Sequence, residues 1–367
     1  MKAIINHIID IKLSSDYQYI IGSQLIENLS KHVGIRHDQK ILILSDQNVW
    51  SLYGAKIDSG FSLHASEVVQ LVIPAGEASK NISHLELILE TLAKHQFQKT
   101  DVILGVGGGM ICDIAAMAAG LYMRGISHIL LATSTLAAID AAVGGKTAIN
   151  LSSGKNLAGL FKQPARVLVD IEAFDSLPDR MFNEGLVEAL KLTYVFNRNM
   201  LALFKKDLRE DKKALVELIY QSVQGKFQVV KADEFDQGLR QILNFGHTLG
   251  HALEQANNYK LLHGEAVAIG MLYMTKLSEE KGILSKDLPI ELKRQFGQLS
   301  PSQLLVDIFN SYHLPTDINI KFEELENFIL LDKKNKEDFL SLIMLEELGK
   351  AKIVQLAQNQ LWSYLEL

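Results

Sequence analysis

The sequence predicts a Rossmann-like α/β domain followed by an α-helical domain. Short apolar segments alternate with helical patterns in the first half of the chain, and helical spacing dominates beyond about residue 180. The length of 367 residues is typical of about two domains. Continuous apolar strands that alternate with helices favour a parallel sheet with helices on both faces. We therefore predict an α/β domain over residues 1–178 and a helical domain over residues 179–367.

Four apolar segments of the first half are predicted to be buried strands. These segments are residues 40–46, 68–76, 101–106 and 127–133. Residues 82–96 repeat apolar side chains at spacings of three and four, which is typical of a helix. In the second half only residues 340–355 show a mixed pattern, and we predict a late hairpin there.

The composition argues against several classes of protein. The 37 Lys and Arg residues are fewer than the 43 Asp and Glu residues, whereas nucleic-acid-binding proteins normally have a basic excess. Cys112 is the only cysteine, so the chain forms no intrachain disulfide and no cysteine-based zinc site. His7 and Asp10 interrupt the apolar start, and no run of about 18 apolar residues suits a membrane span. We expect a cytoplasmic protein that binds neither nucleic acid nor membrane.

A glycine-rich turn follows the strand predicted over residues 101–106. Gly105, Gly107, Gly108 and Gly109 lie between this strand and a predicted helix. Glycines allow backbone N–H groups to approach an anion, and a helix N-terminus attracts negative charge, so the turn suits the pyrophosphate of a dinucleotide. A tight turn without a ligand fits the glycines equally well, and their spacing departs from the G-x-G-x-x-G pattern.

Three histidines, His247, His251 and His263, lie close together in the sequence. His247 and His251 are four residues apart and share one face of a predicted helix, and His263 begins the next helix. Two imidazoles, one carboxylate and an open position form a common catalytic zinc site, for which Glu188 and Glu265 are candidate carboxylates. The spacing does not choose between them, and the alternative is that one or two histidines are core or surface residues.

Positively charged side chains accompany these motifs in an acidic chain. They are Lys146, Lys155, Lys191, Lys226 and Arg240, with Asp140 and Asn244 nearby. Lys146 and Lys155 lie in a Gly/Ser-rich segment that we predict to be a loop. A single lysine is usually a surface residue, but the association of these cations with the other motifs indicates a pocket for a substrate with phosphate and carboxylate groups.

These motifs resemble those of the 3-dehydroquinate synthases, a family of the sugar-phosphate cyclase group. The matching segments occur in the order of the family and cover most of residues 40–336. They include PAGEASK (74–80), GGGMICD (107–113), YMRGI (122–126), DAAVGGKTAIN (140–150), GKNLAGLFKQP (154–164), EGLVEALK (184–191), NFGHTLGHALE (244–254) and HGEAVAIGM (263–271). The resemblance implies an NAD-binding α/β domain and a helical metal-binding domain, in agreement with the predicted order.

The resemblance also implies a role for each candidate residue. Glu188, His247 and His263 would hold a catalytic Zn²⁺ or Co²⁺ ion. NAD⁺ would contact Asp46, Asn48, Glu77, Lys80, Gly107, Gly108, Gly109, Asp113, Thr133, Ser134, Lys146, Lys155 and Ser176. The substrate would contact Asp140, Lys146, Lys155, Lys191, Lys226, Arg240, Asn244, His251 and a lysine of residues 332–336. Arg124 would reach the phosphate in the neighbouring subunit's site, which implies a homodimer.

The substrate that the resemblance implies is 3-deoxy-D-arabino-heptulosonate 7-phosphate, and the products are 3-dehydroquinate and inorganic phosphate. Bound NAD⁺ would oxidise a ring hydroxyl transiently, and phosphate would leave by β-elimination. The same NADH would then return the hydride before ring opening and an intramolecular aldol closure. This lyase reaction belongs to the shikimate pathway, which leads to chorismate and the aromatic amino acids.

Some positions depart from the family pattern, which usually has glycine at Cys112 and Ala116, proline at Ala132 and glutamate at Asp236. None of these changes removes an implied ligand or cation. Three alternatives remain: another sugar-phosphate cyclase such as an aminodehydroquinate synthase, a metal-dependent polyol dehydrogenase of similar fold, and a nucleotide-binding protein without turnover. The GGKTAIN segment favours the dehydroquinate branch over valiolone and deoxyinosose synthases, but aminodehydroquinate synthases share much of it.

Overall fold

The computed structural model describes residues 4–61, 65–257, 260–317, 325, 328–329 and 339–366. The chain divides into two compact units. The first unit comprises Met1–Leu177 and Lys226–Phe235, and the second comprises Pro178–Gly225 and Asp236–Leu367. The first unit therefore includes a short segment from the region that the sequence assigned to the helical domain.

Polar contacts hold this segment in the first unit. Lys226 Nζ lies 2.7 Å from Asp140 Oδ1. Glu234 accepts hydrogen bonds from the Ser14 hydroxyl at 2.6 Å and from the Gln163 side-chain amide at 2.9 Å. These partners are distant in sequence, so no local pattern signals that the segment joins the first unit.

The first unit is built on a seven-stranded sheet and a separate two-stranded hairpin. Its strands are β1 (Ile4–Ile11), β2 (Tyr17–Ser23), β3 (Lys40–Asp46), β4 (Glu67–Ile73), β5 (Val102–Gly107), β6 (Ser127–Ala132), β7 (Lys146–Leu151), β8 (Gly154–Phe161) and β9 (Arg166–Asp170). The order across the sheet is β1-β2-β9-β6-β5-β3-β4, in which β1 and β2 are antiparallel and the other pairs are parallel. The prediction of a mainly parallel sheet is confirmed, and the four predicted strands are β3 to β6.

Helices cover both faces of this sheet. They are α1 (Leu29–Val33), α2 (Gln47–Phe61), α3 (Ile82–Lys94) and α4 (Gly109–Leu121). On one face, Leu104 of β5 belongs to a buried core with Leu29 of α1 and Ile57 of α2. Side chains alternate along a strand, so Gly105 points to the other face, where a Cβ would lie 2.8 Å from Ala115 Cβ of α4. Because both faces are covered, the central strands are apolar throughout.

The segment predicted to be a Gly/Ser-rich loop forms the antiparallel hairpin β7–β8 instead. Thr147 and Ile149 are buried, whereas Lys146 is exposed, and this alternation is typical of a strand with one covered face. The small residues that indicated a loop precede β7 at Gly144 and Gly145 and form the turn at residues 152–153. The prediction of a loop was wrong because it gave the turn residues more weight than the alternation beside them.

The second unit is mainly helical, as predicted. Its helices are α5 (Asp179–Val195), α6 (Lys212–Ala232), α7 (His247–Ala256), α8 (His263–Glu280), α9 (Ile290–Phe296), α10 (Pro301–Ser311) and α11 (Leu361–Leu365). The last residues of α6, from 226 onward, belong to the first unit. Strands β10 (Phe339–Glu347) and β11 (Lys350–Ala357) form the predicted late hairpin. Residues 264–275 of α8 are buried, and this helix packs against α5, α7 and α10.

Short helical turns connect several of these elements. A π-helical turn covers Ala137–Ala141, and 3₁₀ turns cover Ile26–Asn28, Glu77–Ser79, Tyr122–Arg124, Ile171–Ser176, Arg198–Lys205, Leu239–Asn244 and Gln358–Gln360. Among the described residues, no helix has the length and apolar composition needed to span a membrane.

Candidate active site

Three side chains of the second unit converge on one point, and we call Glu188, His247 and His263 the Glu188 cluster. Glu188 lies on α5, His247 begins α7, and His263 begins α8. The Nε2 atoms of His247 and His263 lie 3.5 Å and 3.4 Å from Glu188 Oε1. Two donor atoms bound to one tetrahedral zinc ion at about 2.0–2.1 Å are about 3.3–3.4 Å apart. The spacing of the donor atoms therefore fits a tetrahedral metal ion.

Without a metal ion, the cluster combines an ionised carboxylate with one neutral and one protonated imidazole. Burial opposes the ionisation of Glu188, but the Lys191 ammonium and the two imidazoles outweigh it and hold the pKa of Glu188 well below its ordinary value. Burial lowers the pKa of His247 to about 3, so this ring is neutral. Burial also opposes the protonation of His263, but the nearby carboxylates of Glu188 and Glu254 outweigh it and raise its pKa to about 10. A metal ion that binds here would displace the proton from His263.

Each histidine of the cluster has a hydrogen-bond partner at its second ring nitrogen. His247 Nδ1 donates to the carbonyl oxygen of Phe245 at 3.1 Å. His263 Nδ1 donates to Glu254 Oε2 at 3.2 Å. Sequence reasoning missed Glu254, although it follows His247 by seven residues, a spacing that places both on one face of a helix.

The second candidate carboxylate, Glu265, makes different contacts. Its two oxygens accept hydrogen bonds from Arg180, both at 2.6 Å, and Oε2 accepts from the Leu262 N–H at 2.9 Å. Glu184 holds the same helical turn from another side, because it accepts the Gly264 N–H at 2.8 Å. Burial raises the pKa of Glu184 to about 7. Of the two candidates, the structure brings Glu188 alone to the described donor atoms of the histidine pair.

The glycine-rich turn of the first unit joins β5 to α4. β5 ends at Gly107, Gly108 is extended with φ −75°, and α4 begins at Gly109. A Cβ at Gly107 would lie 2.6 Å from Ile111 Cβ, so packing excludes a larger residue there. A Cβ at Gly108 would instead make an ordinary contact, 3.4 Å from Ser134 Oγ. The packing of the protein therefore requires glycine at position 107 but not at position 108.

Other residues predicted to contact NAD⁺ lie where parallel strands end. Asp46 is the last residue of β3, and Thr133 and Ser134 follow β6. In open α/β sheets, ligands bind at this carboxyl edge. Asp46 Oδ1 also accepts the N–H of Asn48 at 3.0 Å, which caps the start of α2. Ser176 lies at the end of a 3₁₀ turn and accepts a hydrogen bond from the Tyr53 hydroxyl at 2.9 Å.

Glu77, Lys80 and Asp113 form one charged network. The Lys80 ammonium pairs closely with Asp113, and it lies 2.6 Å from Asn156 Oδ1 and 3.8 Å from Glu77 Oε1. The Asn150 side chain donates to Glu77 at 2.7 Å. Burial raises the pKa of Asp113 to about 6, although Lys80 opposes this shift. Asn150 and Asn156 were not predicted as site residues, but both lie in the motifs that carried the resemblance.

The residues predicted to contact substrate occur in both units. The first unit contains Arg124, Asp140, Lys146, Lys155 and Lys226, and the second contains Lys191, Arg240, Asn244 and His251. Asp140 pairs with Lys226, and Lys191 pairs with Glu188. The ring of His251 packs edge-on against that of His247, with centroids 5.3 Å apart. The lysine predicted within residues 332–336 lies outside the described residues.

Two positions that depart from the family pattern lie on α4. Cys112 and Ala116 are both buried, and Cys112 Sγ lies 3.9 Å from the carbonyl oxygen of Gly107. Burial raises the pKa of the Cys112 thiol, which keeps it protonated. The Cys112 side chain therefore packs beside the glycine-rich turn, and an effect of either residue on NAD⁺ binding stays a prediction.

Known proteins resemble this chain over nearly its whole length. The family profiles described as 3-dehydroquinate synthase N-terminal and C-terminal match residues 70–184 and 185–335. The 3-dehydroquinate synthase of Clostridium acetobutylicum is 35% identical over 361 residues, which cover 96% of this chain and 97% of the relative. That of Lactococcus lactis subsp. cremoris is 36% identical over 356 residues, which cover 95% of this chain and 97% of the relative.

Solved structures share the fold. A 2-deoxy-scyllo-inosose synthase complexed with carbaglucose-6-phosphate, NAD⁺ and Co²⁺ is 23% identical, with a TM-score of 0.82 over 98% of this chain and 99% of that one. The 2-epi-5-epi-valiolone synthase of Streptomyces hygroscopicus, with NAD⁺ and Zn²⁺ bound, is 24% identical, with a TM-score of 0.83 over 97% and 98%. At these identities the solved structures show the fold alone. The profiles and the more similar relatives show the family: the chain belongs to the 3-dehydroquinate synthases.

Proposed function

We propose that the chain catalyses the conversion of 3-deoxy-D-arabino-heptulosonate 7-phosphate to 3-dehydroquinate and inorganic phosphate. Membership of the family supports this lyase activity and its place in the shikimate pathway. The observation that carries the proposal is the convergence of donor atoms from Glu188, His247 and His263 within 4.8 Å of one another. The cluster would provide the metal site that the proposed reaction needs.

The residues present fit both cofactors that we propose. Glu188, His247 and His263 would hold Zn²⁺ or Co²⁺, which suit the same ligands. NAD⁺ would bind at the glycine-rich turn, where backbone N–H groups and the N-terminus of α4 attract a pyrophosphate. When bound, NAD⁺ supplies reversible hydride transfer and the metal ion stabilises negative charge on a substrate oxygen. The cyclases solved with NAD⁺ and Co²⁺ or Zn²⁺ support this pair of cofactors.

The charged side chains of this chain would bind and orient the substrate. Lys146 is exposed at the start of β7, and its ammonium group would bind a phosphate. Arg240 is buried, and a desolvated guanidinium binds a carboxylate strongly and in a fixed geometry. The pairing of Lys226 with Asp140 holds two further polar groups in place before substrate binds. Such preorganisation favours the single substrate conformer that closes the ring.

We also propose a homodimer in which Arg124 reaches the phosphate in the partner's site. Arg124 is exposed, and it and Met123 adopt left-handed backbone conformations with φ of 61° and 48°. Consecutive left-handed residues other than glycine are strained, and such strain occurs mainly at functional sites. Leu121 and Met123 beside it are 44% and 47% exposed, so an apolar surface is available for a second subunit.

The cytoplasmic location stays a proposal. It agrees with a biosynthetic family and with the single buried thiol of Cys112, which a reducing compartment keeps free.

Phosphate release tests the proposed activity directly. The protein is mixed with Zn²⁺, a catalytic amount of NAD⁺ and the heptulosonate phosphate, while inorganic phosphate and NADH absorbance are recorded together. We expect many turnovers of phosphate per NAD⁺ and no accumulation of NADH. Accumulation of NADH with glycerol or another polyol, without phosphate release, would contradict the proposal and support a polyol dehydrogenase. Faster turnover of the amino analogue of the substrate would support an aminodehydroquinate synthase instead.

Mixed dimers test the role of Arg124. Arg124→Ala and His263→Ala subunits are each expected to be nearly inactive alone. In a mixed dimer, the subunit with an intact Glu188 cluster receives an intact Arg124 from its partner. Random exchange of subunits should therefore restore about a quarter of the wild-type sites, because half of the dimers are mixed and each has one complete site. No recovery after exchange is verified by mass spectrometry would contradict the sharing of Arg124.

A further inference from the structure

The environment of His263 contains a carboxylate that no proposed ligand or substrate role uses. Glu254 Oε2 lies 3.2 Å from His263 Nδ1, on the opposite side of the ring from Nε2, which faces Glu188. Glu254 is 4% exposed and lies on α7, whereas His263 is the first residue of α8. The hydrogen bond therefore fastens the ring at the start of one helix to the side of another.

The two histidines of the Glu188 cluster differ in this respect. His247 Nδ1 is held by a backbone carbonyl only two residues away, that of Phe245. His263 Nδ1 is held by a charged side chain from a different helix. A carboxylate is a stronger acceptor than a carbonyl, so it fixes the tautomer more firmly and makes the opposite nitrogen a better electron donor.

We propose that Glu254 is a positioning residue for the metal site, which keeps the Nδ1–H tautomer of His263 and aims Nε2 at the ion. The inference rests on the proposed function, because it assumes that His263 is a metal ligand. A free imidazole has several rotamers, and the one that the structure shows directs Nε2 toward Glu188. The hydrogen bond to Glu254 selects that rotamer before the metal binds. Metal binding then costs less side-chain conformational entropy.

The backbone beside His263 is held by a different carboxylate. The positioning of the His263 ring can therefore be distinguished from the support of the helix start. The Gly264 N–H donates to Glu184 Oε2 at 2.8 Å, and a Cβ at Gly264 would collide with the backbone carbonyl oxygen of Glu184. Glu184 is 6% exposed, about as buried as Glu254. Glu184 of α5 therefore provides a second buried carboxylate that binds the first turn of α8 through its backbone, and none of its described hydrogen bonds involves the His263 ring.

Metal affinity, rather than turnover, tests the inference. The Zn²⁺ affinity of the metal-free full chain is measured at pH 8 by competition with a chromophoric chelator, and the visible spectrum is recorded with Co²⁺. We expect Glu254→Ala to raise the Kd for Zn²⁺ by about 10- to 100-fold and to shift the Co²⁺ bands. Glu254→Gln should recover part of the affinity, because its amide oxygen still accepts the Nδ1–H. The matched control Glu184→Gln, which also removes a buried carboxylate, should stay within about threefold of wild type.

Several outcomes would overturn the inference. An unchanged Kd and Co²⁺ spectrum in Glu254→Ala would show that the hydrogen bond does not position His263. An equal loss of Zn²⁺ affinity in Glu184→Gln would show that the affinity depends on buried negative charge and not on the hydrogen bond to His263. A second bound Zn²⁺ per wild-type chain, absent from Glu254→Ala, would make Glu254 a ligand, since donor atoms of His251, Glu254 and His263 also lie within 4.8 Å of one another.

Two further measurements separate the inference from the proposed function and from misfolding. If His263→Ala retains wild-type metal affinity, the proposed metal site itself is wrong. If His263→Ala loses the metal and Glu254→Ala keeps it, the inference alone fails. Should Glu254→Ala not fold, Glu254→Gln decides: we expect a weaker affinity and shifted Co²⁺ bands, and wild-type values for both would overturn the inference.

Discussion

The Glu188 cluster and the glycine-rich turn are built in opposite ways. In the cluster, side chains from three helices converge, and Glu188 is completely buried among cationic groups. At the turn, three successive residues without side chains join a strand to a helix. The cluster thus depends on which side chains are present, whereas the turn depends on side chains being absent.

This difference determines how strongly a substitution in each region should affect metal binding or NAD⁺ binding. The loss of one donor from the Glu188 cluster leaves buried charges without compensation, and a metal ion loses a direct bond. The addition of a methyl group at Gly108 of the turn leaves the existing contacts in place and only fills space near the backbone. Substitutions in the cluster should therefore have much larger effects than substitutions at the turn.

The largest effect is expected for His263→Ala. Without this donor the metal ion should be lost on dialysis, and kcat/KM should fall by about 1,000-fold or more, because a metal ion contributes several kcal/mol of charge stabilisation. NAD⁺ binding at the glycine-rich turn should persist, since the turn belongs to the other unit. Metal content by atomic emission and NAD⁺ affinity by calorimetry measure the two effects.

His251→Ala is the matched control for that variant. His251 is four residues after His247 on the same helix, but we propose that it contacts substrate rather than metal. This variant should retain its metal and lose activity. If His263→Ala keeps its metal, or if both variants lose the metal equally, the assignment of three ligands is wrong.

The sequence located the histidines of the candidate site more easily than the carboxylate of the Glu188 cluster. Helical spacing alone placed His247 and His251 on one face, and the structure confirms that α7 includes both. The choice between Glu188 and Glu265 depends on how α5 packs against α8, and no spacing within a single helix contains that information. Glu254 was missed for a related reason, because its partner His263 lies on another helix.

In the first unit, local signals were sufficient for the central strands and for the glycine-rich turn. They were insufficient where the partners are distant in sequence. Strands β1, β2 and β9 at one side of the sheet were not predicted, and β2 pairs with β9 far along the chain. The segment of residues 226–235 joins the first unit through contacts to Asp140 and Gln163, which only the folded chain brings together.

His128, a buried histidine outside the Glu188 cluster, can be compared with His247 of the cluster. Burial lowers the pKa of both His247 and His128 to about 3. His128 lies in β6 and is 1% exposed, and neither of its ring nitrogens has a hydrogen-bond partner among the described residues. It lines a cavity of about 10 Å³ with Cys112 and Ala116, which is room for about one water molecule. His128 is therefore a neutral core residue, whereas His247 is a proposed ligand.

We expect His128→Phe to make the protein less sensitive to acid. The pKa of an unfolded histidine is about 6.5, so as the pH falls from about 6.5 toward 3 the unfolded chain binds a proton that the folded chain does not, and stability decreases across this window. Removal of His128 should reduce the loss of unfolding free energy between pH 7 and pH 5 by about 2 kcal/mol. Denaturant midpoints of the two metal-free proteins at both pH values measure this, and parallel pH profiles would contradict the prediction.

The smallest effect is expected for Gly108→Ala, and it tests whether the turn binds a pyrophosphate at all. The added Cβ meets Ser134 Oγ at an ordinary 3.4 Å, and φ of −75° suits alanine, so the melting temperature should hardly change. The affinity for NAD⁺ should nevertheless fall by about tenfold, because the methyl group occupies space through which the phosphate approaches the backbone.

Gly107→Ala is the control in which the packing of the protein is disturbed. Its Cβ would lie 2.6 Å from Ile111 Cβ, so this variant should melt several degrees lower than wild type. A loss of NAD⁺ affinity that accompanies lower stability in Gly107→Ala, but occurs without it in Gly108→Ala, would locate the pyrophosphate at the turn. Wild-type affinity in Gly108→Ala would mean that these glycines serve only the tight connection between β5 and α4, and that NAD⁺ binds elsewhere along the carboxyl edge of the sheet.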